Sequence, residues 1–169
     1  ETKPDQVALV FESFDSDNHY YEAEDAFTRH IPRDMAKRCM QWAEIDGKKR
    51  LLVGGKVNRF IPNPTFDPVS KPGALDAYFR GRVSGEDMRR LFGDLEPIPA
   101  AYRDRDARVA VMREQGLSGA MFFPTLAVGM EESLREDVPA LCAAFRAFNR
   151  WLLEDWGFAY RGAIYGAPY

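Results

Sequence analysis

The stretch "RDRDARVAVMREQGLSGAMFFPT", residues 103–125, places a helical pattern directly before a short apolar run. Asp104 or Asp106 suits the start of the helix, and Gly116 suits its C-terminal stop. The apolar run at 118–125 is too short for a helix and is typical of a buried strand that ends at Pro124. The stretch therefore predicts one helix–strand unit of an α/β fold.

The chain repeats this order immediately downstream. "EDVPALCAAFRAFNRWLLEDWG", residues 136–157, has Asp137 as a candidate N-cap, Pro139 in the first turn and Gly157 at the end. The helical spacing predicts one apolar stripe, made of Leu141, Phe145, Phe148 and Leu152. "RGAIYGAPY", residues 161–169, then predicts another buried strand.

Upstream, "VALVFESF" at 7–14 is rich in β-branched and aromatic residues and predicts a buried strand. The resulting order of strand, helix, strand, helix and strand is typical of parallel strands with right-handed crossovers. This alternation of strands and helices is interrupted by the segment from about residue 24 to residue 100. Asp46-Gly47 predicts a hairpin turn, and the proline-rich segment 58–75 predicts an ordered loop rather than a regular element. We interpret 24–100 as an insertion into a single α/β domain spanning 1–169.

Composition restricts the classes of function. The 169 residues are 46% hydrophobic and carry a net charge of -3 without a basic stripe, so the sequence predicts no nucleic-acid partner. No apolar run approaches the roughly 20 residues of a spanning helix, so no membrane partner is predicted. Cys39 and Cys142 match no ligand or redox spacing and indicate reduced thiols in a cytoplasmic protein. The missing initiator Met and the apolar C-terminal residues predict a longer native chain.

The segment "DSDNH", residues 15–19, follows the first predicted strand. Ligands of α/β proteins bind beyond the carboxyl ends of the parallel strands. Asp17 and His19 are two residues apart and would point the same way if the strand continued through them. A carboxylate beside an imidazole predicts half of a divalent metal site. The alternative is that Asp17 caps a turn while His19 packs in a loop.

Four stretches together resemble the N-terminal part of the amidohydrolase-2 group of amidohydrolase-related proteins. They are "DSDNHYYE", "GGKVNRFIPNPTFDPV", "YRDRDARVAVMREQGLSGAMFFPT" and "AFNRWLLEDWGFAYRGAIYGAPY". This group includes the aminocarboxymuconate-semialdehyde and resorcylate decarboxylases. The resemblance implies the N-terminal part of a metal-dependent (β/α)8 TIM barrel with an inserted hairpin and loop region. It also implies that Asp17 and His19 replace the family's first pair of metal ligands, with zinc, or else manganese, as the metal.

The family's later ligands are absent from this sequence, so the resemblance implies an incomplete part of a larger enzyme. That enzyme would act on a small carboxylate, amide or ester substrate by hydrolysis or by non-oxidative decarboxylation. A catalytic zinc site uses three protein ligands. We therefore expect weak metal binding and no turnover from these residues alone.

Other polar and aromatic residues are candidates for substrate binding. Arg59 and Phe60 could face the barrel mouth and bind a carboxylate or a ring; otherwise Arg59 pairs at the surface and Phe60 packs the loop. Thr125 follows a strand and could line the site or cap the next turn. His30 is expected to be a hydrogen-bonded structural residue.

A second hypothesis is that the chain has the same partial fold but is not catalytic. The incomplete ligand set and the aromatic, proline-rich loop fit a binding or assembly module as well as an enzyme. A chain with fewer strands than a closed barrel would also have exposed sheet edges. A homodimer is therefore an alternative to a monomer.

Overall fold

The computed structural model describes residues 11–59, 61, 63–74, 76–81 and 95–169. The strands of this part are β1 (Ser13–Tyr20), β2 (Met40–Ile45), β3 (Lys48–Val53), β4 (Lys56–Val57), β5 (Val69–Ser70), β6 (Leu95–Glu96), β7 (Leu117–Pro124), β8 (Ala159–Tyr160) and β9 (Ile164–Gly166). The helices are α1 (Asp76–Phe79), α2 (Arg105–Glu114), α3 (Met130–Leu134) and α4 (Val138–Asp155), with a 3-10 turn at Ala100–Tyr102.

A four-stranded sheet in the order β1-β7-β9-β8 forms the centre of the described fold. β1 and β9 both run parallel to β7, and β8 pairs antiparallel with β9. Helix α2 connects into β7, and α4 follows β7 in the chain before β8 and β9. The predicted α/β class with a parallel sheet is therefore confirmed. The closed barrel stays a prediction, because these strands form an open sheet.

Both long connecting helices lie on the same face of the sheet, because both reach the ring of Phe122. The guanidinium carbon of Arg108 on α2 lies 5.5 Å from that ring, and the ring of Trp156, just past α4, lies 5.7 Å from it. Tyr20 on β1 also contacts Trp156, at 5.2 Å between ring centroids. These aromatic side chains fill the hydrophobic core between sheet and helices.

The opposite face of the sheet is more exposed. Phe14 and Tyr165 pack together there, at 5.9 Å between ring centroids, and 53% and 37% of their surfaces remain accessible. Phe123 alternates with the buried Phe122 along β7 and is half-buried. His19 is paired in register with Phe123 and lies beside its ring, so the predicted metal ligand belongs to this open face.

The predicted insertion carries its own antiparallel strands. Asp46 and Gly47 form the two-residue turn between β2 and β3, and both have positive φ, 54° and 66°. That conformation explains the Asp-Gly pair, since a tight hairpin turn of this hand needs positive φ at both central residues. The hairpin joins the main core through buried side chains that include Met40, Leu51 and Val53.

The two predicted helices are confirmed with their caps. The Asp104 side chain accepts from the N–H of Ala107, and the Asp137 side chain accepts from the N–H of Ala140. The predicted stripe on α4 is only partly right. Phe148 and Leu152 are buried, whereas Leu141 and Phe145 only pack against the edge of the core. The buried side of α4 also includes Trp151 and four alanines, Ala140, Ala143, Ala144 and Ala147. The small alanine side chains allow this helix to pack closely. None of the described helices is long and apolar enough to cross a membrane.

The prediction of a strand over 7–14 is tested only at residues 11–14, because residues 1–10 lie outside the described part. Within 11–14, β1 begins at Ser13, so residues 11 and 12 are not part of the strand. The strand then continues through the polar segment to Tyr20, because its backbone pairs with β7 as far as Pro124. The polar segment thus lies within β1. The register shifts between Asp15 and Asn18, where side chains of the strand bond to one another.

Gly166 on β9 gives a test of how tightly the sheet packs. A Cβ added there would meet the carbonyl oxygen of Gly157 at 2.9 Å, and backbone cannot move aside easily. We expect Gly166→Ala to lower the free energy of unfolding by about 1–3 kcal/mol. Gly119→Ala is the comparison variant and should lose less. Its Cβ would meet the half-exposed ring of Phe14, which can rotate away, and the nearest backbone atom, the carbonyl oxygen of Ala163, is at 3.3 Å rather than 2.9 Å. Equal losses for the two variants in urea unfolding would contradict this prediction.

Candidate active site at the ends of β1 and β7

Asp17 and His19 lie together on β1, near its carboxyl end. The Oδ1 atom of Asp17 lies 3.6 Å from Nε2 of His19, and both side chains are accessible, at 82% and 45% exposure. The Asp17 N–H donates to Oδ1 of Asp15, a bond that orients the backbone at the register shift. The structure therefore brings the two predicted metal ligands side by side.

The second ring nitrogen of His19 shows how the imidazole is oriented. Nδ1 lies 3.0 Å from the carbonyl oxygen of Pro124, at the end of β7. A carbonyl can only accept, so Nδ1 carries the proton of this bond. In the neutral imidazole, Nε2 then carries the free lone pair, and this nitrogen lies 3.6 Å from Oδ1 of Asp17. This is the tautomer that a metal-binding histidine needs.

The pair fits a divalent cation. Nitrogen and carboxylate ligands lie about 2.0–2.2 Å from zinc, so two ligands of one ion are at most about 4.3 Å apart. The observed 3.6 Å is within that limit. Two ligands do not complete a site. Within the described residues, no group of three or more His, Cys, Asp or Glu side chains could hold a metal ion.

Glu22 is a buried carboxylate at the rim, the edge of the sheet formed by the carboxyl ends of β1 and β7, and sequence reasoning assigns it no role. Only 2% of the residue is exposed. Its carboxylate accepts from the N–H of Leu126, at 2.8 and 2.9 Å, and from the N–H of Ala127, at 2.9 Å. Burial raises the pKa of Glu22, while these backbone donors lower it. Glu22 therefore links the end of β1 to the loop after β7.

Thr125 makes a second link across the rim. Its hydroxyl donates to the carbonyl oxygen of Tyr20 at 2.7 Å. This contact ties Thr125 to the backbone at the end of β1 and not to the turn that follows β7. A role for Thr125 in substrate binding stays a prediction.

Arg108 supports the rim from helix α2. The residue is 8% exposed, and its Nη2 donates to the carbonyl oxygen of His19 at 3.1 Å. Its guanidinium also lies over the rings of Tyr102 and Phe122. Burial lowers the pKa of Arg108. The helical spacing could have identified this residue, because Arg108 and the buried Met112 are four positions apart and share a face.

The remaining candidates lie elsewhere. Arg59 is exposed in a surface groove that is lined by Val53, Lys56 and Ser133 among others and does not include Asp17 or His19. Phe60 lies outside the described residues. His30 is hydrogen-bonded through Nε2 to Oε2 of Glu154 at 2.7 Å, as expected of a structural histidine.

The fold is similar to the crystal structure of an amidohydrolase from Mycobacterium avium subsp. paratuberculosis K-10. The two chains are 44% identical, with a TM-score of 0.88, and the match covers 95% of this chain. It covers 43% of the amidohydrolase, so the present chain spans less than half the length of that protein. No family model and no curated protein matches the sequence.

Proposed function

We propose that the chain is part of a metal-dependent amidohydrolase-related enzyme of the amidohydrolase-2 group, with a (β/α)8 barrel as the complete fold. The observation that carries this proposal is the Asp17–His19 pair on a parallel strand, in a chain 44% identical to an amidohydrolase. The match to less than half of that protein supports the view that further ligands come from other strands of a longer enzyme. The description of the matched protein as an amidohydrolase also favours hydrolysis over the decarboxylation that the family resemblance allowed.

In this proposal Asp17 and His19 hold the divalent ion, and zinc suits their mixed oxygen and nitrogen donors. Such an ion supplies Lewis-acid polarisation of a carbonyl and activation of water near neutral pH, which suit the hydrolysis of a small amide or ester. Asp17 contributes negative charge, and His19 contributes the Nε2 lone pair. The Pro124 carbonyl fixes the proton on Nδ1, so the imidazole stays oriented for binding. Arg108 holds the His19 backbone from below the sheet.

Zinc titration of this chain tests the assignment of the ligands. We expect weak binding by calorimetry, because the described residues offer only two ligands, Asp17 and His19. We also expect a loss of at least about tenfold in affinity for either Asp17→Asn or His19→Gln. His30→Gln is the matched control, since it removes the other of the two histidines and should leave the affinity unchanged. No binding at millimolar zinc, or equal loss in the control, would refute this assignment.

A further inference from the structure

Within the described part of the chain, the buried carboxylate of Glu22 is bound by backbone N–H groups and not by a positive charge. No cationic side chain pairs with it among the residues that the structure describes. Instead, backbone N–H groups bind it: those of Leu126 and Ala127 donate at 2.8–2.9 Å. Successive N–H groups directed at one anion make a binding concavity. Here the anion is supplied by the neighbouring strand.

Glu22 binds the loop after β7, and this loop begins at Pro124, whose carbonyl oxygen contacts the His19 ring. Pro124 ends β7, and its carbonyl oxygen accepts from Nδ1 of His19. The next residue bonds to Tyr20, and the two after it bond to Glu22. The position of the Pro124 carbonyl relative to β1 therefore depends on the links made by Glu22 and Thr125.

We propose that Glu22 is a positioning residue for His19: it fixes the loop after β7 so that the Pro124 carbonyl selects the Nδ1–H tautomer of the imidazole. The importance of that tautomer for catalysis rests on the proposed function. The selection itself does not, because it is a property of the chain without metal.

The chemistry of the side chain explains why a carboxylate occupies this place. An ionised carboxylate has only acceptors, and the backbone groups bonded to it, the N–H groups of Leu126 and Ala127, are donors. Glutamine has the same size, but its amide nitrogen would face another N–H. We expect Glu22→Gln to turn or displace the loop and to weaken the bond between His19 and Pro124.

Nitrogen NMR of histidine-labelled protein measures the tautomer directly. The chain has two histidines, so His30→Gln assigns both ring signals. At a pH where His19 is neutral, we expect the wild type to show protonated Nδ1 and unprotonated Nε2. Glu22→Gln should show a mixture of both tautomers, with zinc affinity lower by about 10- to 100-fold. Glu22→Asp is the second variant, because it keeps the charge but withdraws it from the amides.

Asp137→Ala is the matched control for a loss of stability alone. Asp137 caps α4 and pairs with Arg38, so its replacement weakens the fold without touching the rim. We expect no change in the His19 signals of that variant. Unchanged signals in folded Glu22→Gln or Glu22→Asp, or an equal change in Asp137→Ala, would overturn the positioning role. A changed tautomer in protein that never binds zinc would support the positioning role and count against the proposed function.

Discussion

Trp156→Ala is expected to lower the free energy of unfolding by about 3–5 kcal/mol, the usual cost of emptying a tryptophan site in a core. Trp156 is fully buried and contacts Tyr20 on β1 and Phe122 on β7, at 5.2 and 5.7 Å between ring centroids. The side chain thus joins the end of α4 to two strands. Its removal leaves a cavity that backbone movement cannot easily fill, since the sheet fixes both strands.

Two further variants separate packing from other effects of this change. Trp156→Phe should cost less than half as much, because a ring remains and the lost indole N–H has no partner among the described residues. Leu153→Ala lies on the exposed side of the same helix, at 54% exposure, and should change stability little. Urea unfolding of the three variants measures the order. Similar losses for Trp156→Ala and Leu153→Ala would show that the core does not depend on Trp156.

Much of this fold could be predicted, because its signals are local. Asp104 and Asp137 cap the helices that their sequence positions indicate, and the Asp46-Gly47 turn forms the expected hairpin. The start of β1 could not be placed in the same way. A strand can include polar residues when a neighbour supplies its hydrogen bonds, and the pairing of β1 with β7 joins residues about a hundred positions apart.

The candidate site shows the same division between local and distant contacts. Asp17 and His19 are two residues apart, so their proximity follows from the strand period. The partners that orient the site are far away in sequence: Pro124 for the His19 ring, Arg108 for the His19 carbonyl, and Leu126 for Glu22. A single sequence contains no signal for these pairs. The local context of Arg59 predicts a substrate-binding residue, but the structure places Arg59 in a surface groove that does not include Asp17 or His19.

The other large effect is expected at Glu22. Glu22→Ala leaves the N–H groups of Leu126 and Ala127 without their acceptor, and those two residues are 2% and 0% exposed. A buried unsatisfied donor costs about 1–3 kcal/mol, so we expect a loss of about 2–6 kcal/mol in the free energy of unfolding. Glu24→Ala is the control. It removes a carboxylate that pairs with Lys49 at the surface, where an ion pair contributes about 0–1 kcal/mol.

The pH dependence of stability identifies the charge state of Glu22. Burial raises its pKa above the ordinary 4.5, despite the opposing N–H donors. The folded protein then binds more protons than the unfolded chain between 4.5 and the raised pKa, so stability decreases as the pH rises through that interval. Glu22→Gln cannot titrate. We therefore expect the stability difference, wild type minus Glu22→Gln, to fall from pH 4.5 upwards by at most about 1.4 kcal/mol per pH unit, then to level off. A difference that grows with pH would mean that the backbone donors outweigh burial and that the pKa is depressed.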